Sequence, residues 1–469
     1  MEQVMTLEVP VHAMADLTRS FTGEVLSASD PGYEAARTIW NADVMRRPAL
    51  ILRCRNAGDV VGALAFARRR GLEVSVRGGG HNIAGTALCD DGVMIDLSLM
   101  RGVDVDAARR RAVAAPGATW LDLDGATQLA GLATPGGVVS STGVAGLTLG
   151  GGFGWLSRRF GWACDNLESV ELVTADGERI RADEAENPDL FWGIRGGGGN
   201  FGVVTSFTYR LHPVSHVYAG FLVYDLARAA AVLRHCHEVM DTAPDTFCMV
   251  ISIGPPPQQL AWPAGTRVLR VGFCHSGPTE HARLAIEAFT SVHRPEAARY
   301  STIRYGELQT MLDGGARFGL AHYSKSHFLP DLSDEAIETM VEHARRAVSA
   351  RSRVVLHTCG GMPSRLPADA TAFGHRDARY NLQIDATWQP GEDRAREVAW
   401  ARAFGAAMRP FSNGGVYVNF LSERDDPAGV LAAYQGDRLM RLRRLKTAYD
   451  PENIFRHNQN IPPLTADER

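Results

Sequence analysis

The stretch that most constrains this chain is Arg77-Gly78-Gly79-Gly80-His81-Asn82, flanked by Val74-Ser75-Val76 and Val93-Met94-Ile95-Asp96. The flanks read as short strands with apolar residues inward. Three successive glycines interrupt them, and glycine backbone adopts conformations closed to other residues while letting its N–H groups approach a ligand closely. Successive N–H groups turned inward form an anion-binding concavity suited to a pyrophosphate. A tight inter-strand turn would explain the glycines equally well. His81 at the mouth of the loop, with Arg77 behind it, favours the binding reading.

At 469 residues the chain is too long for a single core, so two domains or one large composite domain is expected. Hydrophobic content of 45% and charged content of 22% describe an ordinary globular protein. The net charge of −4 argues against nucleic acid or an anionic membrane as partner. Seven scattered cysteines in no CxxC pair read as reduced thiols, not a disulfide framework or zinc site. The first thirty residues hold no apolar signal core, and no apolar run is long enough to span a bilayer. A cytoplasmic protein with no metal site is the expectation.

Along the chain, 49–54 reads as a strand and 59–70 as a helix capped by Asn56 and closed by Gly71. A hairpin is expected from 102–106 and 111–115, then a helix over 120–130. Residues 134–155, TPGGVVSSTGVAGLTLGGGFGW, are mostly small, which suits backbone lying against an extended ligand. Ala175-Asp176-Gly177 marks a second hairpin. The run 195–204 holds a formal GxGxxG, but it follows a helix (188–194) and opens a strand (203–209). That order is the reverse of a Rossmann loop, and the kinase partner motifs are missing.

From about 215 to 425 glycine clusters thin out and amphipathic helices alternate with strands. His235 and His237 on the helix 226–240 have no third ligand in range and do not read as a metal pair. Strands are expected at 266–274 and 353–359. Residues 380–388 alternate strictly, which puts Asn381, Gln383, Asp385 and Thr387 on one face. Residues 416–420 read as a further strand with Tyr417 and Asn419 side by side. Either polar face meets solvent, as in many antiparallel sheets, or the two line a cavity. A basic helix at 438–448 precedes a polar, turn-rich tail.

Together, VRGGGHN at 76–82, GVAGLTLGGGFGW at 143–155, RGGGGNFGVV at 195–204 and YDPENIFRHNQNIPP at 449–463 resemble the berberine-bridge-enzyme-like branch of the vanillyl-alcohol-oxidase flavoprotein superfamily. The bacterial members like 6-hydroxy-D-nicotine oxidase are the nearest in pattern. The resemblance spans about 46–463 and rests on four motifs in order. It implies an α+β fold: a two-lobed PCMH-type FAD-binding domain plus an antiparallel-sheet substrate domain backed by helices. Residues 1–214 would form the FAD domain, 215–425 the substrate domain, and 426–469 a segment returning to the FAD domain.

The same resemblance implies that His81 carries the covalent bond to the flavin 8α-methyl carbon. Arg77, Gly78, Gly79, Gly80, Asn82, Ser140, Ser141, Gly143, Gly146, Thr148, Gly150, Gly151, Val204 and Asn458 would contact FAD. Many relatives have a second link through a cysteine before the second glycine turn. Here 135–141 contains none, and Cys164 lies beyond the run, so a single link is expected. The implied chemistry is two-electron oxidation of a C–H beside an O–H or N–H of a small organic substrate, with O2 reduced to H2O2. Tyr417, in a Tyr-x-Asn pattern, is the candidate base; its ordinary pKa of about 10 would have to be lowered by a partner. Asp385 is the rival base and His357 a third, while Asn419 and Gln383 would orient substrate. A flavin dehydrogenase, an oxygenase or oxidative cyclase, a carbohydrate oxidase, and a flavin carrier without turnover are the alternatives. Either a monomer or a homodimer is compatible with the sequence.

Overall fold

The computed structural model describes residues 21–257, 262–263, 265–423 and 427–468. Three sheets make the frame. The first runs in the order Glu24–Leu26, Leu50–Arg53, Val93–Asp96, Val74–Arg77, its last three strands parallel. The helix Ala57–Arg69 links two of these strands and covers the sheet with Val60, Ala63, Leu64 and Ala67, all buried. Asn56 caps it, its Oδ1 accepting from Asp59 N at 3.1 Å.

The second sheet is antiparallel and five-stranded, in the order Val103–Asp106, Arg111–Ala114, Val203–Arg210, Leu167–Val173, Arg179–Asp183. Its core takes in Trp120, Phe191, Phe201 and Phe207, and also Leu442 and Leu445 from the C-terminal helix Asp437–Tyr449. Lys446 locks that helix down. Its Nζ donates to Asn200 O at 2.9 Å, Phe455 O at 3.0 Å and Asp450 Oδ2 at 2.6 Å, with both charged side chains fully enclosed.

The third sheet has seven antiparallel strands, in the order Ala297–Arg304, His216–Asp225, Val268–His275, Phe247–Gly254, Arg353–Thr358, Tyr380–Trp388, Ala321–Leu329. Period-two alternation gives it two faces. Ile251, Leu269, Val271, Val354, Leu356, Leu382 and Ile384 meet the apolar sides of helices Ala229–Thr242, Asp334–Arg345 and Arg394–Met408. Each such side chain contributes roughly 1.5–3 kcal/mol by burial, so this face holds the sheet together. Residues of opposite parity (Ser252, Arg270, Arg353, Val355, His357, Gln383, Asp385) face a cavity instead.

One expected element is different. Residues 416–420 do not form a strand: Tyr417 is extended, but Val418–Phe420 is a 3-10 turn. Phe328 N donates to Gly415 O and Asn413 N to Phe328 O, so the segment starts along the sheet edge. It then turns away because Tyr417 and Asn419 are drawn into the glycine run at 150–152. Among the described residues no helix is long and apolar enough to cross a membrane.

Candidate functional site

The cavity lies between the glycine loops and the seven-stranded sheet. Its wall comprises backbone from 78–82, 142–147 and 198–204, side chains Phe455, His457, Asn458 and Gln459 from the tail, and the polar face of the sheet. Gly78 to His81 leave strand Val74–Arg77 without continuing it. The N–H groups of Gly79, Gly80, His81 and Asn82 donate to no other described group. Successive free N–H groups on a cavity wall are the raw material of an anion nest. A side chain has no room there: a Cβ on Gly79 would lie 2.5 Å from Gly143 N, and one on Gly143 would lie 2.5 Å from Gly79 N. Gly80 also has a positive φ of 68°. At the tail, Asn458 Nδ2 donates to Gly199 O at 3.2 Å and Phe455 O at 2.9 Å, while its Oδ1 is buried with no partner. Gln459 Oε1 is likewise buried and unpartnered. The donor row and the idle acceptors suit a cofactor bearing a diphosphate and several hydroxyls.

His81 is held from two sides. Its Nε2 lies 3.0 Å from Ser141 Oγ, and its ring stacks on Trp40 at 5.0 Å between centroids. Burial, helped by repulsion from His322, pulls its pKa down to about 4, so the imidazole is neutral at physiological pH. Beyond Trp40 the stack continues to His322, 3.7 Å away and nearly parallel. His322 Nδ1 lies 3.2 Å from Asp385 Oδ1, and Arg353 Nε donates to Asp385 Oδ2 at 3.2 Å. Burial alone would raise the Asp385 carboxyl, but His322 and Arg353 outweigh it and hold it below the ordinary carboxylate range.

Tyr417 and Asn419 line the same cavity. Tyr417 Oη accepts from Asn419 Nδ2 at 2.8 Å and from Gly152 N at 3.1 Å. Burial nevertheless pushes the phenol well above its ordinary range, against the lowering by those two donors. His357 sits nearby, edge-on to Phe153, with Nδ1 buried and unpartnered, and burial drives its pKa down to about 4.

Of the residues singled out from sequence, His81, Gly78, Gly79, Gly80, Asn82, Gly143, Gly146, Val204, Asn458, Gln383, Asp385, Tyr417, Asn419 and His357 all line this cavity. Others turn elsewhere. Arg77 donates through its guanidinium to Ala36 O, behind the loop. Ser140 Oγ donates to Asp313 Oδ2 at 2.6 Å, and Thr148 Oγ1 pairs with Tyr209 Oη at 2.7 Å. Gly150 and Gly151 are small for another reason: a Cβ there would strike Asn419 at 2.2 Å and Phe373 at 2.4 Å. Their emptiness seats the Tyr417 segment. Sequence reading missed Trp40, His322, Arg270 and Arg353. Arg270 had a signal, since it is a charged residue set within a run of apolar ones.

Comparison with known proteins bears on this geometry. Residues 48–183 match the FAD binding domain family and 416–462 the family described as berberine and berberine like. The chain is 33% identical to an FAD-linked oxidoreductase of Dictyostelium discoideum, covering 91% of each chain. It is 31% identical to (R)-6-hydroxynicotine oxidase of Paenarthrobacter nicotinovorans, covering 95% of this chain and 97% of that one. The crystal structure of 6-hydroxy-D-nicotine oxidase from Arthrobacter nicotinovorans superposes with a TM-score of 0.86 at 30% identity, over 95% of this chain and 99% of that one. The chain therefore belongs to the berberine-bridge-enzyme-like branch of the vanillyl-alcohol-oxidase flavoproteins, and is an FAD-linked oxidoreductase.

Proposed function

We propose that this enzyme is an oxidase that removes two electrons and two protons from a C–H and an adjacent O–H or N–H of a small organic substrate, with O2 reduced to H2O2. FAD, when bound, supplies the acceptor for the electron pair. Residues 1–214 with 426–469 would hold the cofactor, and 215–425 would hold the substrate. Support for the division comes from the two kinds of cavity wall: free backbone N–H groups on one side, patterned side chains on the other.

His81 is the single covalent attachment point. A neutral imidazole has a lone pair to offer, and Ser141 and Trp40 fix its ring. No cysteine lines the cavity among the described residues, which favours one link over two. Arg77 backs the loop from outside; Gly78, Gly79, Gly80 and Asn82 hold the diphosphate.

The observation that carries the reaction type is the position of Tyr417 Oη. It accepts two hydrogen bonds, from Asn419 Nδ2 and Gly152 N, on the wall of the cavity. Those donors favour a phenolate against the burial that raises the phenol, so it is the deprotonated form of Tyr417 that takes the substrate proton as the C–H is oxidised. Asp385 is already committed to His322 and Arg353 and serves to hold them. Gln383 and His357 offer polar contacts for orientation. The 31% identical relative is by name an oxidase of 6-hydroxynicotine, which supports a small substrate with an oxidisable C–H.

The test is anaerobic mixing with a panel of amines and alcohols, followed by admission of air. Bleaching of the flavin and recovery with one H2O2 per turnover are expected. Recovery only with an added dye would make the enzyme a dehydrogenase, and no bleaching by any compound would leave it a carrier.

A further inference from the structure

Arg270 lies mid-strand in Val268–His275, between Leu269 and Val271 of the helix-facing core, and lines the cavity. Among the described residues its guanidinium makes no hydrogen bond and no ion pair. No carboxylate among the described residues pairs with it. Asp385, a carboxylate on the same face, is engaged by His322 and Arg353, and Arg353 also donates to Gly315 O at 2.6 Å. Burial, with repulsion from Arg353, lowers the Arg270 pKa to about 10, so the group stays charged at neutral pH. Arg270 and Arg353 together line both this cavity and a second one adjoining it, where Arg299 adds a further positive charge against Glu307. An enclosed, unpaired cation is expensive to keep unless something brings the anion.

Sheet register shows where such an anion would sit. Arg270 pairs with Ser252, Ser252 with Val355, Val355 with Gln383, and Gln383 with Ser326. Ser326 Oγ in turn accepts from Tyr417 N at 3.2 Å. Arg270 and Tyr417 thus mark opposite ends of one row across the sheet. At about 4.8 Å per strand the row from Arg270 to Ser326 is roughly 19 Å long between backbones, with Tyr417 beyond it, and side chains fill part of that length.

We propose that Arg270, with Ser252 beside it, binds a carboxylate of the substrate, and that the substrate is an elongated carboxylic acid oxidised at the end remote from the acid group. A planar guanidinium grips a carboxylate through two parallel N–H donors, which a neutral amide cannot match. The proposal rests on the cavity being the substrate site of an oxidoreductase. It excludes 2-hydroxy acids, whose carboxylate adjoins the reacting carbon.

The test is calorimetric titration of the flavin-loaded enzyme with benzoate, phenylacetate, 4-phenylbutyrate and 6-phenylhexanoate, each compared with its primary amide. The longer acids should bind at least tenfold more tightly than their amides. The preference should vanish in Arg270→Met and survive in part in Arg270→Lys. Equal binding of acids and amides by the unaltered enzyme, or a preference that persists in Arg270→Met, would overturn the proposal. The acid-amide comparison needs no variant, so a misfolded variant does not blunt it. Calorimetry is blind to turnover: acid preference in an enzyme that makes no peroxide would count against the oxidase reading alone.

Discussion

Asn419 Nδ2 donates to Tyr417 Oη at 2.8 Å, although the two residues are only two apart in the chain. The 3-10 turn at Val418–Phe420 brings their side chains together, and the bare backbone of the glycine run makes room for both. Removing the phenol oxygen should therefore be costly. Tyr417→Phe is expected to lower the rate of anaerobic flavin reduction by about 10²–10⁴-fold with little change in binding. Burial holds the phenol protonated through neutral pH, so the unaltered enzyme should speed up as pH rises above neutrality. The Phe variant should lose that rise; an unchanged profile would remove Tyr417 from the proton transfer.

His81 is neutral and clamped, which makes it the attachment point in the reading above. Acid precipitation of the unaltered protein should leave yellow flavin in the pellet. His81→Ala should release it to the supernatant while still binding FAD non-covalently through the free N–H row. Colour that stays in the pellet of the variant would place the link elsewhere.

Much of this was readable before the fold. The helix Pro188–Ile194 and the strand Tyr380–Trp388 fall where their patterns put them, because each carries its own period and its own boundary residues. Residues 416–420 did not, since an alternating pentapeptide fits a strand and an extended loop alike. Only contact with Ser326 and the glycine run decides between them. The glycines at 150 and 151 read in the sequence as backbone lying against a ligand, and what they make room for in the fold is Asn419 and Phe373. Trp40 and His322 carry no local signal at all: they meet across 282 residues of chain by ring stacking, beside hydrogen bonds between Asn41 and the His322 backbone.

Gly79 and Gly143 touch backbone to backbone, so neither has a flexible side chain to give way. Gly79→Ala is expected to cost about 1–3 kcal/mol and to cut FAD content sharply. Gly102→Ala, where a Cβ meets nothing, is the control and should leave both unchanged. Absorbance at the flavin band together with thermal melting checks the pair.

Asp124 is buried, with Oδ2 accepting from Gln309 Nε2 at 2.8 Å and Oδ1 unpartnered. Burial lifts its pKa to about 7, against the lowering by Gln309. The folded state therefore holds a proton that the unfolded chain releases near pH 4, and stability is lost as pH rises from about 4 through 7. About three pKa units correspond to a penalty on the order of 4 kcal/mol above pH 7. Asp124→Asn should raise the melting temperature at pH 8 and leave it nearly unchanged at pH 4. A variant less stable than the parent at pH 8 would show the carboxylate to be favourable there.

Lys446 fastens its helix onto Asn200, and beyond that anchor His457, Asn458 and Gln459 line the same cavity as the loop at 78–82. The residues that line this cavity thus come from segments far apart in the sequence, 78–82 and 455–459. A nascent chain halted before Phe455 has the first loop but only an open trough in place of a cleft. A polypeptide broken off before Phe455 should therefore take up FAD poorly and emerge pale even where its sheets have formed.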